Sequence, residues 1–143
     1  MLDGDGLLEH CAGPHSAETY ARWLADGASR VWIAEAARGR APVGYAVLSG
    51  PDVPIADPSP DDAEIKRIYL LSRFHGGGLG SKMMQLALDE ARAMRRRRVL
   101  LGVYAGNTRA IGFYERHGFV RAGERRFRVG RREYDDAVMA RVL

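Results

Sequence analysis

Cysteine occurs once in this chain, as Cys11. A lone thiol excludes an internal disulfide framework and a thiolate metal cluster, and it fits a reducing compartment. No apolar run approaches the roughly 18 residues that a membrane-spanning helix needs. The opening segment MLDGDGLLEHC has neither the basic start nor the apolar core of a secretory signal, so a cytoplasmic protein with no membrane partner is expected. Internal repeats are missing too, which sets aside solenoids and propellers. Lysine is scarce, two against twenty arginines, a bias that reads as coding preference and excludes no function. What remains is a globular composition, 46% hydrophobic and 28% charged, in 143 residues, enough for one α/β core and too few for two. A single domain over residues 1–143 is the expectation.

The richest stretch is EIKRIYLLSRFHGGGLGSK at 64–82. A β-branched and aromatic run breaks into glycines and then opens into a helical pattern. Strand, glycine turn and helix N-terminus in that order make an anion site lined by backbone amides. Glycine at 76, 77, 78 and 80 allows positive φ and removes the Cβ atoms that would hold a phosphate away. Two common nucleotide loops do not fit. A Walker loop needs Gly-Lys-Ser/Thr where this chain has Gly80-Ser81-Lys82, and a dinucleotide fingerprint needs a sixth-place glycine that neither Gly76 nor Gly78 has.

Around that stretch the pattern predicts a helix over 16–26, with Ser16 at its N-cap and Tyr20, Trp23 and Leu24 at helical spacing. Strands at 31–36 and 43–48 flank a Gly-Arg-Ala-Pro turn and read as a hairpin. Residues 50–62, GPDVPIADPSPDD, hold four prolines and read as a surface loop. A strand over 64–71 follows, then a helix whose buried stripe is Leu79, Met83, Leu86, Ala87, Ala91 and Met94. A strand at 99–104, a helix from Asn107 or Thr108 to Arg116, a turn at 117–119 and strands near 120–129 and 134–142 complete the chain. This order predicts an α/β mixed sheet with helices on both faces.

Two segments carry a resemblance to a known family. His75, Gly78 and Gly80 line up with the pyrophosphate loop Arg/Gln-x-x-Gly-x-Gly/Ala of the GCN5-related N-acetyltransferases, with histidine where that loop has Arg or Gln. Asn107-Thr-Arg-Ala110-Ile-Gly-Phe113-Tyr114-Glu115-Arg-His-Gly118-Phe119 resembles the family signature N-x-x-A-x-x-F/L-Y-E-x-x-G-F at every constrained place. The wording is closest to the polyamine (spermidine/spermine) acetyltransferase branch. Members usually begin with a strand and a helix before the segment matching residue 16, and fifteen residues are too few for both. Either the start codon is misplaced or the sheet lacks its first strand.

The resemblance implies an enzyme that moves an acetyl group from acetyl-CoA to a primary amine by direct attack, with no metal. Ile68, Tyr69, Leu70 and Leu71 would line the pantetheine arm, and His75, Gly76, Gly77, Gly78, Leu79, Gly80 and Ser81 would hold the pyrophosphate. Asn107 would hold that arm or simply cap the next helix; the two roles are compatible. Tyr114 would be the general acid, since a phenol of pKa ~10 can protonate a departing thiolate. Glu64 is the candidate base, because an amine of pKa ~10 arrives protonated. Family habit favours a homodimer.

Charge is polarised. Residues 1–66 carry 11 acids and 5 bases, residues 67–143 carry 7 and 17. A polyanionic cofactor on one side and a cationic amine on the other would suit that division. Asp57, Asp61, Asp62, Glu133, Asp135 and Asp136 read mostly as solvated surface charge, with selection of a cationic amine the alternative. Arg95 to Arg98 read as a solvated helix end, so nucleic acid is the disfavoured partner. A small amine, polyamine first, is the expected substrate. The rivals are a protein lysine or N-terminal acetyltransferase and a non-catalytic acyl-CoA-binding module.

Overall fold

The computed structural model describes residues 29–36, 38–71, 73 and 75–143. The helix expected at 16–26 and the question of a first strand fall outside the described residues. Among the described residues six strands and two helices follow in order: β1 (Arg30–Glu35), β2 (Pro42–Ser49), β3 (Asp62–Leu70), α1 (Leu79–Ala93), β4 (Arg98–Tyr104), α2 (Thr108–Arg116), β5 (Val120–Val129) and β6 (Arg132–Val142). The strands hydrogen-bond in the order β1-β2-β3-β4-β6-β5, a mixed sheet, as the alternation of strands and helices predicts. Among the described residues no helix is long and apolar enough to cross a membrane.

Two compact units divide the chain, Met1–Ser49 with Ile65–Ala87, and Gly50–Glu64 with Leu88–Leu143. In the first, β1 and β2 form the expected antiparallel hairpin, with Arg30 opposite Leu48 and a register irregularity at Ala34/Glu35. Its core takes Val43, Ala46, Val47 and Leu48 from β2, Ile65, Ile68, Tyr69 and Leu70 from β3, and Met83, Met84 and Ala87 from α1. Burial on successive residues of β2 and β3, rather than on alternate ones, marks strands covered on both faces. The helical stripe keeps Met83, Ala87 and Ala91 from the expected set, while Leu79 and Met94 are half-buried and Met94 lies past the helix end. Leu86 is 44% exposed, and Met84 and Leu88 take the buried positions beside Met83, Ala87 and Ala91.

In the second unit, β4 pairs antiparallel with β6, and β6 with β5. The parallel ladder joins Asp62, Ala63 and Glu64 of β3 to Arg98, Val99 and Leu100 of β4. Asn107 caps α2, its Oδ1 accepting from the Ala110 amide at 3.1 Å. Ala110, Phe113 and Tyr114 form the buried face of α2. The helix stops at Gly118, whose φ of 84° only glycine adopts without strain, and the Phe119 amide returns to the Tyr114 carbonyl at 3.1 Å. That reversal buries Phe119 to 1% exposure, worth roughly 1.5–3 kcal/mol of apolar transfer.

The proline-rich loop is fixed by its side chains. Val53 packs into a buried cluster with Leu100, Val138 and Ala140, and Ile55 lies against it. Arg98 binds Asp62 through two parallel hydrogen bonds, Nε to Oδ1 at 2.9 Å and Nη2 to Oδ2 at 2.8 Å, and reaches Asp57 with Nη1 at 3.2 Å. Arg96 Nη1 donates to the Pro60 carbonyl at 2.9 Å, and the Arg97 amide donates to the Asp61 carbonyl at 2.8 Å. The expected solvated helix end holds for the exposed side chains of Arg95 and Arg97, while those of Arg96 and Arg98 turn to the loop. α1 closes at Ala93, and Arg96 to Arg98 bind the loop.

Candidate active site

The glycine turn belongs to the first unit. Gly76 and Gly78 both have φ of 81°, as an amide-lined turn requires, whereas Gly80 lies inside the first turn of α1. A Cβ placed on Gly76 or Gly78 would meet nothing within 4 Å, so the space beside this backbone is open to a ligand. The Lys82 amide donates to the Gly78 carbonyl at 3.0 Å, the first rung of α1. Amides at the start of a helix are the donors it offers an anion. No acid stands in that first turn, and Ser81 and Lys82 are exposed. A diphosphate fits these features.

His75 is held rather than extended toward a ligand. Its Nε2 donates to the Leu70 carbonyl at 2.7 Å, tying the turn to the end of β3. Ile68, Tyr69 and Leu70 are buried at 8%, 3% and 1% exposure, so their peptide edges and not their side chains are what a pantetheine arm would meet. The Leu71 amide is engaged with the Val43 carbonyl at 2.8 Å.

Glu64, Asn107 and Tyr114 belong to the second unit. Glu64 is not the exposed strand opening that its sequence position suggests. β3 begins at Asp62, and Glu64 is 6% exposed, with Oε1 accepting from the amides of Asp52 at 2.8 Å and Val53 at 3.0 Å. Asn107 has its capping role, and Tyr114 lies two turns further along the same side of α2. The Tyr114 ring packs edge-on against Phe113 at 5.5 Å and Phe119 at 6.0 Å. Burial pushes its phenol up to about 12, which keeps the proton on its oxygen at neutral pH.

The acids proposed to select an amine are placed differently from expectation. Asp57 and Asp62 hold Arg98, Asp135 accepts from Arg126 at 3.2 Å, and Asp136 accepts from Arg125 at 2.6 Å. The Arg98 guanidinium holds the Asp62 carboxyl below the usual carboxylate range, and buried surroundings lower His117. The arginine clamps were missed in the sequence, although the signal was present: an acidic loop and an arginine run of comparable charge.

Residues 6–119 match the Acetyltransferase (GNAT) family, and the chain belongs to that family. It is 39% identical over 101 residues to an uncharacterized N-acetyltransferase of Mycobacterium tuberculosis (strain ATCC 25618 / H37Rv), an alignment covering 71% of this chain and 60% of that protein. The chain thus spans about 60% of the length of the curated relatives it first matches. Among solved structures, a ribosomal-protein-alanine N-acetyltransferase from Brucella melitensis superposes with TM-score 0.69 at 25% identity, over 88% of this chain and 78% of that one. A spermidine N-acetyltransferase chimera from Vibrio cholerae gives TM-score 0.69 at 24% identity, over 87% and 76%, and shares the fold.

Proposed function

We propose that this chain is a single-domain acetyl-CoA-dependent N-acetyltransferase acting on the primary amine of a small molecule. The observation that carries the reading is the open glycine turn at Gly76–Gly78 running into α1, in a chain of this family. Ile68 to Leu71 would pair with the pantetheine arm, His75 would keep the turn in register, and Gly76 to Ser81 would take the diphosphate. Acetyl-CoA, when bound, supplies a thioester whose carbonyl carbon a neutral amine attacks. The new C–N bond replaces the C–S bond. Glu64 would take the amine's surplus proton, while its Oε1 also keeps the 52–53 amides in place. Tyr114 would hold a proton at its phenol oxygen for the departing sulfur. A cytoplasmic location fits this use of a metabolic thioester.

Polyamines were the expected acceptors. Four of the acids that could bind a polycation are bound to arginines instead, so the proposal here extends to a small primary amine, and the acceptor's chemistry is taken up below. The test is release of CoA thiol from acetyl-CoA across an amine panel, with Tyr114→Phe alongside. The variant should lose about 10²- to 10⁴-fold in kcat, the range of general acid catalysis, with unchanged cofactor affinity by calorimetry. Unaltered turnover would remove Tyr114 from the chemistry. Tight cofactor binding without turnover on any amine would make the chain an acyl-CoA-binding module.

A further inference from the structure

We propose that Arg125 recognises the acceptor and that the acceptor amine carries an oxyanion, a carboxylate or a phosphate, rather than a second cation. The inference rests on the acetyl-transfer reading and uses residues of the second unit alone. It begins with a glycine in the middle of β4. Gly102 is opposite Val138, between the buried apolar residues Leu101 and Val103, where a β-branched side chain would be the ordinary choice. Glycine inside a strand costs about 0.5–1 kcal/mol relative to alanine. The space it leaves is used. A Cβ on Gly102 would fall 3.0 Å from Arg125 Nη2, 3.6 Å from Arg125 Cζ and 3.5 Å from Val53 Cγ1.

Arg125 comes from β5, so its side chain crosses β6 to lie over β4. Asp136, its direct cross-strand partner, orients it by accepting from Nη2 at 2.6 Å. The pair is asymmetric. The Asp136 side chain is 9% exposed and the Arg125 side chain 38%; Arg125 Nε is buried and Nη2 is held by Asp136, so the carboxylate lies beneath and the terminal edge of the guanidinium is the part an acceptor would approach. Val53, the other neighbour of Gly102, has its amide on Glu64 Oε1 at 3.0 Å. The proposed base thus holds the backbone of a residue that, like the guanidinium, borders Gly102. The terminal nitrogens of a guanidinium match a carboxylate or phosphate, whereas an ammonium offers them no acceptor. Asp57, Asp62, Asp135 and Asp136, which could have favoured a polycation, each face an arginine.

The experiment compares kcat/KM for short primary amines that differ at the far end: β-alanine, O-phosphoethanolamine, ethanolamine, ethylenediamine and spermidine. The enzyme forms are wild type, Arg125→Lys and the paired variant R125Q/D136N, which keeps polar partners without stranding a buried carboxylate. Wild type should favour the anion-bearing amines over ethanolamine, and ethanolamine over the diamine and spermidine, by at least about tenfold overall, roughly one good charge-assisted contact. The β-alanine and O-phosphoethanolamine arms separate carboxylate from phosphate. In R125Q/D136N the preference should collapse through KM, with acetyl-CoA affinity and melting temperature held, and Arg125→Lys should retain part of it. Spermidine as the best wild-type acceptor, or an unchanged preference in the variant, would overturn the proposal and leave acetyl transfer standing. If no amine turns over, acetyl transfer itself fails, and calorimetric binding of the same amines decides the proposal: selective binding of the anionic ones, lost in R125Q/D136N, supports it, and indifferent binding overturns it.

Discussion

Two loops meet β3, one at each end, and they are built on opposite principles. The loop before it, residues 50–62, uses side chains: Val53 enters the core, Asp57 and Asp62 hold Arg98, and Glu64 on the strand takes two of its amides. The turn after it, ending in Gly78, has two glycines at φ 81° and nothing within 4 Å of where their side chains would stand. In the first loop donors and acceptors are matched within the chain, so it defines a surface. In the second, the glycine backbone borders open space, where the proposed ligand would lie. Prolines and glycines alike announce a loop in the sequence, and what separates these two is the side-chain anchoring of one and the open backbone of the other.

The contrast breaks most sharply at Arg98. Arg98→Met leaves Asp62, at 2% exposure, without its cation, and removal of one partner from a buried pair costs about 3–5 kcal/mol. Urea unfolding measures it. Adding Asp62→Leu should recover much of the loss, because two apolar side chains need no partner. A single-variant cost below about 1 kcal/mol would reduce the clamp to an ordinary surface pair. The glycine turn should respond in the other currency. Gly78→Val forces a β-branched residue to positive φ, a strain of about 1–2 kcal/mol, and fills the open space. Stability should fall by no more than that strain, while acetyl-CoA affinity drops by at least about tenfold in calorimetry. Normal binding would move the diphosphate away from this turn.

The order of elements, the capped α2 and the glycine turn were legible because each is decided locally, by period, cap residue or permitted φ. Glu64 and the arginines were not, since their partners lie far along the chain: Arg98 meets Asp62 only because β3 and β4 pair in parallel with those two residues opposite. The hairpin was within reach of sequence reasoning. Counting outward from Gly130–Arg131 pairs Arg125 with Asp136 and Arg126 with Asp135, the register observed. Opposite charges directly across two strands are stabilising, so the basic residues before the turn and the acidic ones after it, Arg125 and Arg126 against Asp135 and Asp136, were themselves a register signal. Gly102 could not be read this way, because its reason is a guanidinium that arrives from two strands away.

The smallest expected effect is the pH dependence of stability, and it separates the clamped loop from the end of α2. Asp62 has a folded-state value below its ordinary 3.8, chiefly through the Arg98 hydrogen bonds. His117 lies below its ordinary 6.5, chiefly through burial and then through the Arg141 and Arg116 charges. Both shifts are downward, so at low pH the unfolded chain binds more protons than the folded one, and stability falls as pH falls. The two losses occupy different windows. His117 contributes its loss as pH drops through and below 6.5, where its ring, 4.7 Å from that of Phe113, resists charging. Asp62 contributes only below 3.8, as the carboxylate that binds Arg98 is protonated. Melting temperatures from pH 8 to pH 3 should therefore decline in two stages. His117→Asn should flatten the upper stage alone, and R98M/D62L the lower alone. A decline in the upper window that survives His117→Asn would assign it to another group.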